Sequence, residues 1–167
     1  APWVGDADAV LAHAGYKSVS VRMAVVLTLR RFKEARIAKF FTDVEDLVSR
    51  EAAIAINDLP IADAMPALAA SITRKLDTPS FLRRAINANF RLGKIENAKA
   101  LVDFVAQTDR NESMRIEALR AMGDGASPAP RERVGGHYRP LPKRNVEMVS
   151  RALRPNRGDD RTNSKRT

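Results

Sequence analysis

The sequence predicts an all-α protein built as an α-solenoid, a stack of about four antiparallel helix pairs. Three observations predict it. The first is an internal repeat. Val21–Phe32 (VRMAVVLTLRRF), Val48–Pro60 (VSREAAIAINDLP), Phe81–Leu92 (FLRRAINANFRL) and Met114–Asp124 (MRIEALRAMGD) are copies of one pattern. Anchored on Val25, Ala52, Ala85 and Ala118, they are spaced by 27, 33 and 33 residues. A period in this range marks a stacked array of supersecondary units. The second is composition: Ala, Leu, Ile, Val and Met dominate a hydrophobic content of 44%, with 5% aromatic. That mix suits small, close-packed helices. The third is apolar spacing within each copy, as in Val21, Val25, Leu29 and Phe32, which forms one helical stripe.

The elements follow in order. Asp6 caps a short helix with Val10, Leu11 and Ala14 on its apolar side, and Gly15 stops it. Trp3, the only tryptophan, is expected to cover the exposed end of the stack. Ser20 is the expected cap of the first copy, in which Val26 and Leu27 widen the stripe. Ala35–Phe41 is its short partner helix, with Ile37, Phe40 and Phe41 inward. The second copy, Asp46–Leu59, carries Val48, Ala52, Ile56 and Leu59 and ends at Pro60, and Ala62–Arg74 is its partner. Pro66 requires that this partner start close by, because proline cannot donate deeper in a helix.

The third copy, Ser80–Leu92, stops at Gly93 in the left-handed conformation. Its pattern bends, since Asn89 takes the slot of Leu29, Ile56 and Met122. Either Leu82, Ile86 and Phe90 face inward, or Asn87 and Asn89 are buried and hydrogen-bonded to an adjacent repeat. Ile95–Gln107 is the partner helix. The fourth copy, Ser113–Met122, ends at Gly123 without an immediate partner. The expected domains are a repeat body over residues 1–124 and an extended Pro/Gly-rich segment over 125–144. A short helix with Val146, Val149 and Leu153 follows over 145–154, then a disordered basic tail over 155–167.

Several chemistries are excluded or disfavoured. There is no cysteine, so the chain offers no disulfide, thiolate nucleophile, zinc–cysteine site or CxxCH haem attachment. The longest apolar run, Met23–Leu27, is far below the ~20 residues that span a bilayer. The first residue is Ala and no signal-peptide pattern precedes it, so the sequence reads as trimmed or cut from a longer protein. Net charge is +9 but unevenly placed. Residues 1–124 hold 18 Lys/Arg and 16 Asp/Glu, whereas 125–167 hold 11 and 4. A high isoelectric point therefore does not mark the repeat body as a nucleic-acid binder.

The V-R-x-x-V-V-x-T-L frame at Val21–Leu29, its echo at Met114–Met122 and the acids in the loops resemble HEAT-type repeat proteins. The resemblance covers about residues 6–124 and implies a right-handed α-solenoid of antiparallel helix pairs. In that family a loop Asp and a helix Arg commonly form a ladder. This implies Asp43 or Asp46 before Arg50, Asp77 before Arg83 and Arg84, and Asp109 before Arg115. A narrower resemblance rests on INDLP at Ile56–Pro60, RRAINANFRLG at Arg83–Gly93, and RIEALRAMGD followed by RERVGGHYRPLPKR. These look like the repeat section of large bacterial membrane-bound dehydrogenases, which resemble a fusion of a β-propeller, a HEAT-like part and a c-type haem domain. Such a context implies an exported, periplasmic parent protein and a spacer role. No haem motif or propeller pattern is present, so neither catalytic function carries over to these residues.

No enzyme signature stands out, and no cofactor is implied. His13 and His137 lack metal-ligand spacing, and Gly135-Gly136 lacks the setting of a phosphate-binding loop. The pairs Asp6/Asp8 and Glu45/Asp46 sit at helix starts, where the helix dipole favours carboxylates. Two sets remain. Arg22, Arg50, Arg83, Arg84 and Arg115 recur at similar places in the repeats and form either the Asp–Arg ladder or a ridge for an anionic partner. Asn87 and Asn89 form a polar patch, either structural or ligand-contacting. The leading expectation is a non-enzymatic scaffold or protein-interaction module whose partner is a protein or a neighbouring domain. The alternative is a nucleic-acid binder using the arginine ridge and the cationic tail.

Overall fold

The computed structural model describes residues 5–75 and 78–144. Trp3, Asp77, the helix expected at 145–154 and the tail lie outside the described residues. Among the described residues the regular elements are all helical. Its helices are α1 (Ala7–Leu11), α2 (Val19–Phe32), α3 (Asp46–Asp58), α4 (Met65–Ala70), α5 (Pro79–Leu92), α6 (Ile95–Ala106) and α7 (Glu112–Gly123). Three 3-10 helices, Ala35–Thr42, Ala62–Ala64 and Ser71–Thr73, join them. No strand occurs among the described residues, where Arg131 and Tyr138 form an isolated antiparallel bridge.

The packing follows the repeat period. Helix α2 lies against α3, α3 against α5, and α5 against α7, so the four copies form one row. The segments between them form a second layer. Ala35–Thr42 packs on α2 and α3, α4 on α5, and α6 on α5 and α7. Within that layer Ala35–Thr42 touches Ala62–Ala64, and Ser71–Thr73 touches α6. The chain is thus consistent with a helical repeat fold.

Burial decides which residues of each copy matter. Val25, Val26 and Leu29 of α2 and Val48, Ala52, Ala53 and Ile56 of α3 are buried. So are Met114, Ala118 and Ala121 of α7. Leu27 and Leu59, read as parts of the stripes, are instead exposed. In α5 both readings of the bent pattern hold together. Leu82, Ile86 and Phe90 face inward, and Asn87 and Asn89 are buried with them. The helix has neighbours on several sides, and Phe81, Ala85 and Ala88 complete its enclosed surface.

The partner layer departs most from a regular helix. Ala35–Phe41 is a 3-10 turn rather than an α-helix. Ala62–Arg74 is broken into 3-10, α and 3-10 pieces, with Pro66 in the first turn of α4, where its missing N–H is harmless. The cap of α2 falls at Ser18, not Ser20, and Lys33 closes that helix with φ 54°. Asp6 caps α1 as expected, accepting from the backbone N–H of Asp8 at 2.9 Å and of Ala9 at 3.2 Å. Gly93 closes α5 at φ 61°. A Cβ there would also collide with the guanidinium of Arg144, so the position needs glycine for two reasons. Since α5 is the most enclosed helix, Ile86→Ala is expected to cost about 3 kcal/mol in urea unfolding, against a marginal effect for exposed Leu59→Ala.

Candidate interaction surface

Of the five arginines read as a ladder or a ridge, three are bonded within the fold. Arg22 is buried, and its Nε and Nη2 donate to Asp43 at 2.7 and 3.0 Å. Its Nη1 donates to the backbone oxygens of Tyr16 and Lys17. Arg84 makes a two-pronged pair with Asp58 at 3.1 and 2.7 Å and bonds Ser80. Arg115 donates to the Val105 carbonyl at 2.8 Å. Arg50 is half-buried and Arg83 exposed, and neither side chain has a hydrogen bond or ion pair among the described residues.

Both carboxylate pairs join successive repeats, yet the partners differ from the ladder that the family pattern implies. Asp43 serves Arg22, the helix behind it, rather than Arg50. Arg84 takes Asp58 from the end of α3. Arg22 holds the Asp43 carboxyl below the usual carboxylate range. Burial pushes Asp58 up, but donation from Arg84 and Asn57 outweighs it and the net direction is down.

A second set of arginines, not singled out in the sequence, closes helix ends. The last carbonyls of a helix lack intrahelical donors, and a cation there also meets the negative end of the dipole. Arg74 bonds the Phe41 carbonyl at the end of Ala35–Thr42. Arg110 bonds the carbonyls of Ile72, at 3.2 Å, and of Arg74. Arg139 bonds those of Asn57, at 2.8 Å, and Asp58 at the end of α3. Arg144 bonds those of Phe90 and, at 2.7 Å, Arg91 at the end of α5. Arg74 and Arg110 thus form a repeat-to-repeat ladder along the partner layer.

Arg139 and Arg144 come from the Pro/Gly-rich segment, which lies across the helix ends as a strap. Its tight turn is held by Glu132, a buried residue whose carboxylate accepts from the N–H groups of Val134, at 2.8 Å, and Gly135. The backbone N–H of Glu132 donates to the His137 oxygen at 2.9 Å. Arg133 reaches Glu117 of α7 and Asp124, the residue that closes it. Phe90 lies under the guanidinium groups of Arg133 and Arg144, 5.8 and 5.3 Å from the ring centre. Much of the positive charge in this segment is therefore committed to the fold.

The polar patch is structural on one side and open to a cavity on the other. Asn89 donates to the carbonyls of Ala69 and Ala85 at 2.8 and 2.9 Å, and its oxygen accepts from Asn97 at 3.0 Å. Asn87 donates to Asn57 at 2.8 Å and weakly to Glu132 at 3.4 Å. The Asn87 Oδ1 is buried with no partner among the described residues. Asn89 and Asn97 also line a cavity of about 300 Å³ between α4 and α6, with Ala69, Ala70, Ile72, Leu92 and Ala100. A smaller space of about 160 Å³ shares Ile72, Thr73, Glu96 and Ala100 with it and is lined further by Phe104 and Gln107. Lys94, Glu96, Lys99 and Asp103 edge the two, so the groove's rim alternates in sign.

A larger recess of about 500 Å³ sits between Tyr16, Lys17, Lys39, Phe40 and Val44, with the Arg22–Asp43 pair at its wall. No group of three or more His, Cys, Asp or Glu positioned to hold a metal ion occurs among the described residues. No helix among the described residues is long and apolar enough to cross a membrane. No protein-family model matches the chain, and neither the curated proteins nor the solved structures compared with it gave a match.

Asp43 and Asp58 have folded pKa values below their unfolded ones, so the folded chain binds fewer protons and gains stability above the unfolded pKa. Stability from urea unfolding is expected to hold down to about pH 5 and to fall below about pH 4, as the pH drops through the folded values. Asp43→Asn should melt earlier at neutral pH and show a shallower acid decline. An unchanged acid limb would remove the pair from the account.

Proposed function

We propose that the chain is a non-enzymatic scaffold or protein-interaction module. It is built as a right-handed α-solenoid of about four HEAT-like helix pairs and belongs to a larger exported protein. The observation that supports the reading is the cavity of about 300 Å³ between α4 and α6, with a smaller one that shares part of its lining beside it. Its walls are mostly small and apolar, its amides at Asn89 and Asn97 already hydrogen-bond within the protein, and its rim is mixed in sign. Such a surface fits the apolar face of an amphipathic segment from a partner or a neighbouring domain. It offers little to a polyanion.

The nucleic-acid reading is left with Arg50 and Arg83 as its unpaired ridge residues, since Arg22, Arg84 and Arg115 are bonded within the fold. The two readings part in one experiment. Displayed peptides selected on the folded chain are expected to be amphipathic and uncharged in net terms. They should lose binding to Ala70→Trp, which fills the groove from an exposed position. Selection of strongly acidic peptides indifferent to Ala70→Trp would remove the groove reading. Duplex DNA binding that weakens steeply with salt and disappears in Arg50→Glu/Arg83→Glu would put the nucleic-acid reading in its place.

A further inference from the structure

We propose that the recess of about 500 Å³ beside the end of α1 binds a small aromatic acid, with Lys17 and Lys39 on its anionic head and Tyr16 and Val44 against its apolar body. The recess lies where the arginine ladder has a gap. Before α5 and before α7 the chain sends Arg74 and Arg110 back onto carbonyls that end the preceding segment. Before α3 the corresponding loop carries Asp43 and Val44 and no arginine. Val44 is 88% exposed there, and Gly15, across the recess, has open space where a side chain would be.

The walls are fixed within the protein itself. One guanidinium holds both loops. Arg22 donates through Nη1 to the Tyr16 and Lys17 oxygens at 2.8 and 2.9 Å, and through Nε and Nη2 to Asp43. The Tyr16 ring stands edge-on to His13, with ring centres 5.3 Å apart. The Thr42 hydroxyl is turned back onto the Lys39 oxygen at 3.0 Å. Walls that are already ordered lose less entropy when a ligand binds. The volume falls within the range of about 300–1,000 Å³ that small-molecule sites occupy.

The charge of the lining selects an anion. Asp43 is the one acid among the lining residues, and Arg22 already matches it. Lys17 and Lys39 are exposed, and neither ammonium has a hydrogen bond or ion pair among the described residues. The backbone N–H groups of Gly15, Lys17 and Val44 have no acceptor among those residues either. Positive charge in excess over a concave surface raises the local concentration of anions, and ammonium–carboxylate hydrogen bonds are among the stronger polar contacts. Tyr16, 53% exposed, supplies a ring face beside these donors. The cavity between α4 and α6, with a rim of alternating sign, has no such excess.

The probe is anilinonaphthalene sulfonate, an aromatic anion whose fluorescence rises on leaving water, with phenylnaphthylamine as its uncharged analogue. The full chain is expected to bind the sulfonate at one saturable site and the uncharged analogue more weakly. Lys17→Ala/Lys39→Ala should raise the Kd of the sulfonate at least about tenfold and leave that of the analogue within about twofold. Lys17→Arg/Lys39→Arg should keep the binding. Naphthoate, a carboxylate, should displace the sulfonate from the native chain and shift the amide signals of residues 15–17 and 42–44 in its nuclear magnetic resonance spectrum. Sulfonate binding that ignores both lysines, that never saturates, or that is lost in Ala70→Trp instead overturns the proposal. So do amide shifts on naphthoate that fall on residues 94–107 and spare both loops.

Discussion

The constraint on which this fold depends is the number of helix ends it must satisfy. Among the described residues there are ten helical segments, seven α and three 3-10, several of them only a turn or two long. Each end leaves carbonyls without donors, and those inside the packed layers cannot turn to water. Arginine answers the problem well because its planar fork carries several donors and a permanent charge. Arg74, Arg110, Arg139 and Arg144 each reach past their own element to close a distant end. Arg115 does the same for the last turn of α6. This accounts for the arginines of the chain that are turned onto helix ends.

The same constraint explains what was legible in the sequence. The stripes through Val25, Ala52, Ala85 and Ala118 are set by local helical geometry, and they mark the four principal helices. Gly93 is equally local, since a left-handed closing residue is a property of one position. The Asn87/Asn89 anomaly showed as a break in a pattern, and burial of both amides resolved it. The 3-10 geometry of Ala35–Thr42 was not legible. Its apolar residues fit either helix, and tertiary packing chose the tighter turn.

The arginine pairings were read from the wrong evidence. Recurrence at a fixed spacing selected Arg22, Arg50, Arg83, Arg84 and Arg115, but recurrence says nothing about which carboxylate or carbonyl lies opposite. Arg139 meets Asn57 across 82 residues, and Glu132 meets Asn87 across 45. No spacing rule encodes such contacts. A weak signal was present: Arg133, Arg139 and Arg144 are interleaved with Pro and Gly, where a fixed backbone can aim long side chains.

The strap has a consequence for cooperativity. In an ideal tandem array each unit senses only its neighbours, so the ends fray while the middle persists. Here one segment, Arg131–Arg144, is bonded to the ends of α3 and α5 and to α7. Loss of α7 would loosen the strap and bare the ends of α3 and α5, and loss of α3 would undo the strap from the other side. The chain should therefore come apart as a single block rather than unit by unit, despite a sequence written in copies.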